Sequence, residues 1–493
     1  MGKYSVPENI RKFKPKGTMV KLISGNYYVY EYKMIKGDDG KRHTKMGSLI
    51  GTIKEGIGFI PNNSFVCDAE ISTLDYGDYA ITVVNSKNVF STLNKFFNPQ
   101  DAAMIYVISV IYFIHGFTYI KNIRDIYEMS ILSIIFPGLK LGNESVSNLY
   151  KALGCRQTNV LQMENYLVEN GSKQIAIDGH VIGCVSDNND LAEKGYKFSK
   201  LGEEQINLLM AYDINTKLPL ISRIYEGASN DKVSIKDFLN QVELKNMLFI
   251  VDRGFYSEEN IDLLSHNGNA YIIPLAKNLK TCKSAVSNME LKERFVYQKG
   301  KKATVIEYKD ECIGNHRVLT FRDVNEAAVE QANYLRHMEL GETSYTQEGF
   351  EKNKDFMGAI VLQTNLNDNT PQEIFEFYKS RWGIETFYNY LKNQAGYNSL
   401  HLDDYNKTQG LAFIMLVSAL IFNEMKEAVK DIKGKSLQDC LLEARMLKAH
   451  KRMNKWTVTN CLKKQKELFE KLGVPLTVEN LSRIIHQSSE CRK

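Results

Sequence analysis

The run TPQEIFEFYKSRWGIETFYNYLKNQAG, residues 370–396, decides how the rest of the chain is read. Thr370 is a good N-cap, Pro371 suits the first helical position, and Glu373 completes a capping box. Gly396 supplies a C-terminal stop. At roughly 100° per residue, Tyr378, Arg381, Glu385 and Lys392 fall within an arc of about 60°. Phe377, Ile384, Leu391 and Phe387 form an apolar stripe along its flank. One edge of this helix is therefore built to pack on a core, while the adjoining strip presents an acid, two bases and a phenol. Taken by itself, such a strip equally suits the solvated face of a surface helix. Two acids far upstream separate the readings.

Upstream, QIAIDGH is a short apolar run carrying Asp178, and INLLMAYDI and KLPLISRIYEG form a hairpin across residues 213–216. A helix opened by Asn230 or Asp231 follows, then the strand MLFIV leading into Asp252. Ser257 caps the helix EENIDLLS, and AYIIPLA makes a further strand. Three strands in meander, helix, strand, helix, strand predict a mixed sheet with helical crossovers. That is the order of the ribonuclease-H-like α/β fold, with the 370–396 helix as its last element. Between them, residues 279–368 contain the strand-like runs RFVYQ, ATVIEY and HRVLTFRD, a polar helical stretch, and MGAIVLQTN. They read as a β-rich subdomain inserted into a catalytic domain made of residues 173–278 and 369–430.

In this order of elements the strand ending in Asp178 neighbours the one ending in Asp252, and Glu385 packs beside them. Three carboxylates brought to one sheet edge repel each other by several kcal/mol unless cations neutralise them. Oxygen ligands without imidazole or thiolate point to two Mg²⁺ ions, with Mn²⁺ able to substitute. Such a pair, about 4 Å apart, suits phosphodiester displacement.

The runs IAIDGH, FIVDRGFYSEENI and YKSRWGIETFYNYLK resemble the catalytic motifs of bacterial DDE insertion-sequence transposases, within the group marked by a Tyr-Arg-Glu-Lys signature on the last catalytic helix. The resemblance covers about residues 100–480. It implies that Asp178, Asp252 and Glu385 are catalytic metal ligands, that Arg381 and Lys392 grip phosphates, and that Tyr378 helps place the DNA end. A β-rich insertion before the Glu also marks that group. The implied activity is cut-and-paste transposition, with a homodimer assembled on the element ends. Rivals are a two-metal structure-specific nuclease and an inactive DNA-binding derivative; all three acids being present argues against the latter. Arg253 suits a phosphate or a local salt bridge, and Trp382 a displaced base or the core. His180 suits packing or a hydrogen bond behind Asp178.

The flanks are less specific. A net charge of +5 over 493 residues permits a nucleic-acid partner without requiring one. The eight cysteines include no CxxC, so they read as free thiols of a reducing cytosol. The N-terminal run NIRKFKPKGT carries no secretory core, and residues 102–120 read as a buried helix rather than a membrane span, which places the protein in the cytoplasm. Residues 1–97 read as a small β unit, DNA-contacting or merely packed, followed by a weakly structured connector over 61–97. Residues 98–172 are helical, and 145–167 fit both a DNA-binding helix-turn-helix and an ordinary bundle pair. Residues 431–493 read as a basic helical region, either solvated or gripping a DNA backbone.

Overall fold

A computed structural model describes residues 6–36, 42–62, 73–155, 158–184, 189, 191–194, 203–229, 231–241, 244–287, 293–300, 302–385, 388, 399–400, 402, 404–452 and 455–490. The chain divides into two compact units, Met1–Ser72 and Thr73–Lys493. In the first, strands β1 (Thr18–Ile23), β2 (Asn26–Lys36), β3 (Arg42–Lys54) and β4 (Gly58–Pro61) form one antiparallel sheet in that order. Ser24 and Gly25, both at positive φ, make the tight turn between β1 and β2, the geometry whose twist matches a hairpin. Ile10, Val29 and Ile53 are its small core.

The second unit is built on a mixed sheet. Its strands are β6 (Gln174–Cys184), β7 (Glu193–Lys194), β8 (Glu204–Asp213), β9 (Pro219–Glu226), β10 (Leu248–Val251), β11 (Ala270–Pro274), β12 (Glu293–Lys299), β13 (Lys302–Ile313), β14 (His316–Asp323), β15 (Ala359–Thr364) and β16 (Ser399–Leu400), preceded in the chain by β5 (Thr73–Asp75). The order runs β12-β13-β14-β15-β11-β10-β6-β8-β7, with β9 on β8 and β16 on β6. β6, β8 and β9 are the antiparallel meander, and β10 and β11 join β6 in parallel. The predicted neighbours β6 and β10 are adjacent. The strands of residues 279–368 do not form a sheet apart: β15 pairs with β11 and carries β14, β13 and β12 outward on the same sheet. β11 offered an unpaired edge, and antiparallel strands extend such an edge without a crossover.

Helices cover both faces: Asp231–Gln241 and Glu258–Leu264 pack against one, and a larger helical layer lies on the other. Pro99–His115 is capped by Asn98, stops at Gly116, and is buried from Ala102 to Ile114, as a helix apolar all round must be. The helix Tyr405–Val429 is long and apolar enough to cross a membrane by composition, yet 83% of its apolar window is buried inside the protein. It crosses Asn143–Gly154 where both backbones are bare. A Cβ on Gly410 would lie 1.9 Å from the Tyr150 carbonyl oxygen, and one on Gly154 would lie 1.6 Å from that of Asn406. The partner helix of the 145–167 pair, Thr158–Glu169, is pinned to β9 by Glu164, whose carboxylate takes both guanidinium arms of Arg223 at 2.6 Å with both side chains almost fully buried. The second helix of this pair is thus anchored to the sheet.

Two expectations fail here. The connector expected over 61–97 is helical from Gly77–Asn85 and Lys87–Phe96, with most apolar side chains buried; the first of these is buried on nearly all sides, so its sequence shows no polar stripe to betray it. The C-terminal basic region is not wholly helical. Lys448–Arg452 (β17) and Lys455–Val458 (β18) form a hairpin that pairs with β5, matching Ala449 to Leu74, both buried. Trp456, Thr457 and Val458 favour a strand, and the lysines sit around it.

Gly410→Ala should force the crossing helices apart and cost at least about 2 kcal/mol of stability, read as a lowered midpoint in chemical unfolding.

Candidate active site

Two acids come from the parallel strands. β10 pairs with β6 from Leu248↔Gln174 to Val251↔Ile177, so Asp252 and Asp178 are each the next residue past matched positions. β6 itself continues to Cys184 along β8, so Asp178 lies within its strand rather than at its end. It sits at the end only of the parallel pairing. Strand alternation then sets the face. Ala176 and Ile250, two residues before each acid, belong to the core that also holds Ile374, Phe375 and Ile384, whereas Ile177 and Val251 belong to the core on the opposite face, under the helices Asp231–Gln241 and Glu258–Leu264. Both carboxylates therefore face the helix that carries the third acid.

That helix starts as expected. Thr370 accepts from the Glu373 N–H while the Glu373 carboxylate accepts from the Thr370 N–H at 2.8 Å. Ile374, Phe375 and Ile384 are buried, and Phe377 is half-buried. Phe375 lies 5.0 Å from Phe321, 5.6 Å from Phe295 and 5.2 Å from Tyr297, ring centre to ring centre. These partners lie on β14 and β12, so the 279–368 segment buttresses the helix. The regular helix spans Pro371–Ser380 and is interrupted at Arg381, whose N–H reaches the Tyr378 carbonyl at 3.2 Å, and helix resumes over 382–385. Gly383 weakens helix propensity there, and the Ser380 hydroxyl donates to the Phe377 carbonyl. Lys392, Phe387, Leu391 and Gly396 lie outside the described residues.

The backbone at Arg381 stays helical and only tightens to 3₁₀-type bonds, and its guanidinium lies between two of the acids. Its Nη1 is 3.4 Å from Asp178 Oδ2 and its Nη2 3.0 Å from Glu385 Oε1. Gly179 donates to Asp178 Oδ1 at 2.9 Å, and Arg253 N–H donates to Asp252 Oδ1 at 2.8 Å. Burial, together with the like charges of Asp252 and Glu385, lifts the Asp178 carboxyl to about 6 even though Arg381 pulls the other way. Burial works against the Arg381 charge, and Asp178 and Asp252 outweigh it. Tyr378 is raised by burial and lies beside Arg381, 5.9 Å from ring centre to guanidinium. Arg253 is exposed and Trp382 is 61% exposed. His180 stacks on Tyr388 at 5.0 Å, a packing role.

Tyr388 was not singled out by the sequence. Its hydroxyl donates to the Asp178 carbonyl at 2.6 Å, tying the stretch after Glu385 to β6. Its place three residues beyond Glu385 was the available signal. A cleft of ≈ 360 Å³ opens beside Asp252 and Tyr378, lined also by Arg253, Lys277 and Lys379.

The donor set fits a hard divalent cation in chemistry: carboxylate oxygens only, with one member so crowded by like charge that it already draws a guanidinium. Among the described residues, no three His, Cys, Asp or Glu side chains stand close enough to hold an ion together. Arg381 takes that place between Asp178 and Glu385.

Residues 169–421, just over half of the chain, match the family described as "Transposase DDE domain". No curated protein matches. Among solved structures, a piggyBac transposase synaptic complex with hairpin DNA aligns over 85% of this chain and 86% of that chain, at 10% identity and a TM-score of 0.40.

A raised carboxyl pKa means that ionising Asp178 opposes folding. The stability it leaves is complete below the ordinary carboxylate range and is lost as pH rises through about 6. Asp178→Asn should therefore unfold no more easily than the parent in EDTA at pH 8, and gain up to about 3 kcal/mol there, with the difference shrinking towards pH 4. Thermal unfolding against pH reads it.

Proposed function

The chain belongs to the transposase DDE domain family, and on that premise we propose that it is a DNA transposase of the Tyr-Arg-Glu-Lys group. It binds the terminal inverted repeats of its own insertion sequence, cuts them, and joins the freed 3′ ends to target DNA in cut-and-paste fashion. The observation that carries this reading is the gathering of Asp178 and Glu385 on one guanidinium, with Asp252 one register step away on the neighbouring strand.

Asp178, Asp252 and Glu385 are the residues that would hold two Mg²⁺ ions, or Mn²⁺. When bound, such ions supply the charge neutralisation and nucleophile activation that in-line phosphodiester displacement needs. The chain's own groups prepare the site. The Gly179 and Arg253 amides fix one oxygen each of Asp178 and Asp252, and Arg381 takes the other oxygen of Asp178. Arg381 balances the acids before DNA arrives and turns to a phosphate when the acids are neutralised otherwise. Lys392 grips a second phosphate. Tyr378 places the DNA end, Arg253 touches the backbone near the cut, and exposed Trp382 stacks on an unpaired base. The 279–368 segment is the group's β-rich insertion, here serving as a brace for the catalytic helix. Two ends are paired by a homodimer in the cytoplasm.

Incubating the full chain and Mg²⁺ with a duplex that carries the repeat flanking the reading frame, plus a target plasmid, tests this. Cut ends with free 3′ hydroxyls and joined products are expected. Asp252→Asn and Glu385→Gln should lower both by about a thousandfold, a loss of ~4 kcal/mol of transition-state stabilisation, with duplex binding kept. Cutting without joining would make the protein a structure-specific nuclease instead. Full activity in either variant would overturn the assignment of that acid.

A further inference from the structure

The N-terminal unit carries a feature that its own fold does not use. β1 covers β2 only from Asn26 to Glu31, and β4 covers β3 only from Gly51 to Lys54. Beyond a bulge near Tyr30, β2 and β3 run on as a bare two-stranded ribbon, with Tyr32↔Met46, Lys33↔Lys45, Met34↔Thr44, Ile35↔His43 and Lys36↔Arg42 opposite one another. Residues 31–35 and 42–49 are all exposed, so neither face of the ribbon is packed. Met34 is 56% exposed and Met46 45%. A lone two-stranded hairpin is marginal in water, and like charges directly opposite, such as Lys33 and Lys45, weaken it further.

Its described strand residues carry charge of one sign. Residues 32–36 and 42–49 contain Lys33, Lys36, Arg42, Lys45 and His43 and no Asp or Glu. The nearest described acid, Glu31, stands at the ribbon's root; residues 37–41, GDDGK, which include Asp38 and Asp39, lie outside the described residues. A ribbon two strands wide, cationic and unpacked on both faces, matches the major groove of B-DNA, which is about 12 Å wide and admits a two-stranded β-ribbon.

We propose that the β2–β3 ribbon docks in the major groove of duplex DNA, turning the face that carries Arg42, Met34 and Met46 to the base edges and thymine methyls, with Lys33 and Lys45, on the other face, contacting the flanking phosphates. This rests on the transposase reading and assigns the recognition of the element ends to one element of the N-terminal unit. Arginine and lysine reach guanine O6 and N7 from this groove, and apolar side chains meet the thymine methyl.

The test uses the full chain, with a duplex bearing the repeat that flanks the reading frame and a random duplex of equal length, titrated by fluorescence anisotropy over a salt series. The combined Lys33→Ala, Arg42→Ala and Lys45→Ala variant should bind the repeat at least about tenfold more weakly. The slope of log affinity against log salt should flatten by about two to three units, near 0.9 per lost phosphate contact. Lys33→Arg with Lys45→Arg should keep the slope. On the parent protein, methylation of guanine N7 in the repeat should block binding. An unchanged slope and affinity in the triple variant, or interference from minor-groove modification alone, overturns the ribbon's role while the transposase reading stands. A parent chain that binds neither duplex overturns both. If the triple variant does not fold, as circular dichroism would show, the methylation experiment on the parent still decides.

Discussion

The active-site region depends on holding acids near one another around a single guanidinium. Asp178 and Asp252 leave adjacent strands at matched register and face the same helix, and Glu385 is aimed at them from it. Such acids would push the elements apart if each faced the others bare. A single guanidinium relieves this, since Arg381 spans Asp178 and Glu385. The helix is held in place by the Phe375 aromatic cluster on one side and the Tyr388 hydroxyl on the Asp178 carbonyl on the other.

Much of this was legible in the sequence. The capping box at Thr370, the arc shared by Tyr378, Arg381 and Glu385, and the order of strands all follow local rules of period and capping, and these are the features that came out as expected. The adjacency of β6 and β10 followed from the order of elements alone. What escaped depended on partners distant in the chain. Arg381 meets an acid 203 residues away, and no local pattern announces that contact. The buried helix Gly77–Asn85 escaped because enclosure on nearly all sides erases the polar stripe that marks a surface helix. The hairpin of β17 and β18 was hidden by its lysines, which read as a helical face until β5 claims one edge.

The segment of residues 279–368 shows how a sheet grows without disturbing its site. Added strands extend the β11 edge, away from β6, and leave the β6–β10 junction untouched. Their aromatic side chains still return to the helix Pro371–Ser380. On the helical layer, paired glycines let the helices Asn143–Gly154 and Tyr405–Val429 touch backbone to backbone. The buried Glu164–Arg223 pair fixes the next helix to β9. A buried pair of this kind adds little net stability, but removing one partner typically costs about 3–5 kcal/mol, so it favours one arrangement over others.

The central claim is that the three acids share bound divalent cations. Loading the full chain with Fe²⁺ in place of Mg²⁺ and adding peroxide and ascorbate cuts the backbone beside whatever residues hold the iron. The account predicts cuts clustered near residues 178, 252 and 385, suppressed together by excess Mg²⁺ and by Asp252→Asn. Cuts at only one of these segments, or cuts elsewhere that Asp252→Asn leaves unchanged, would contradict it.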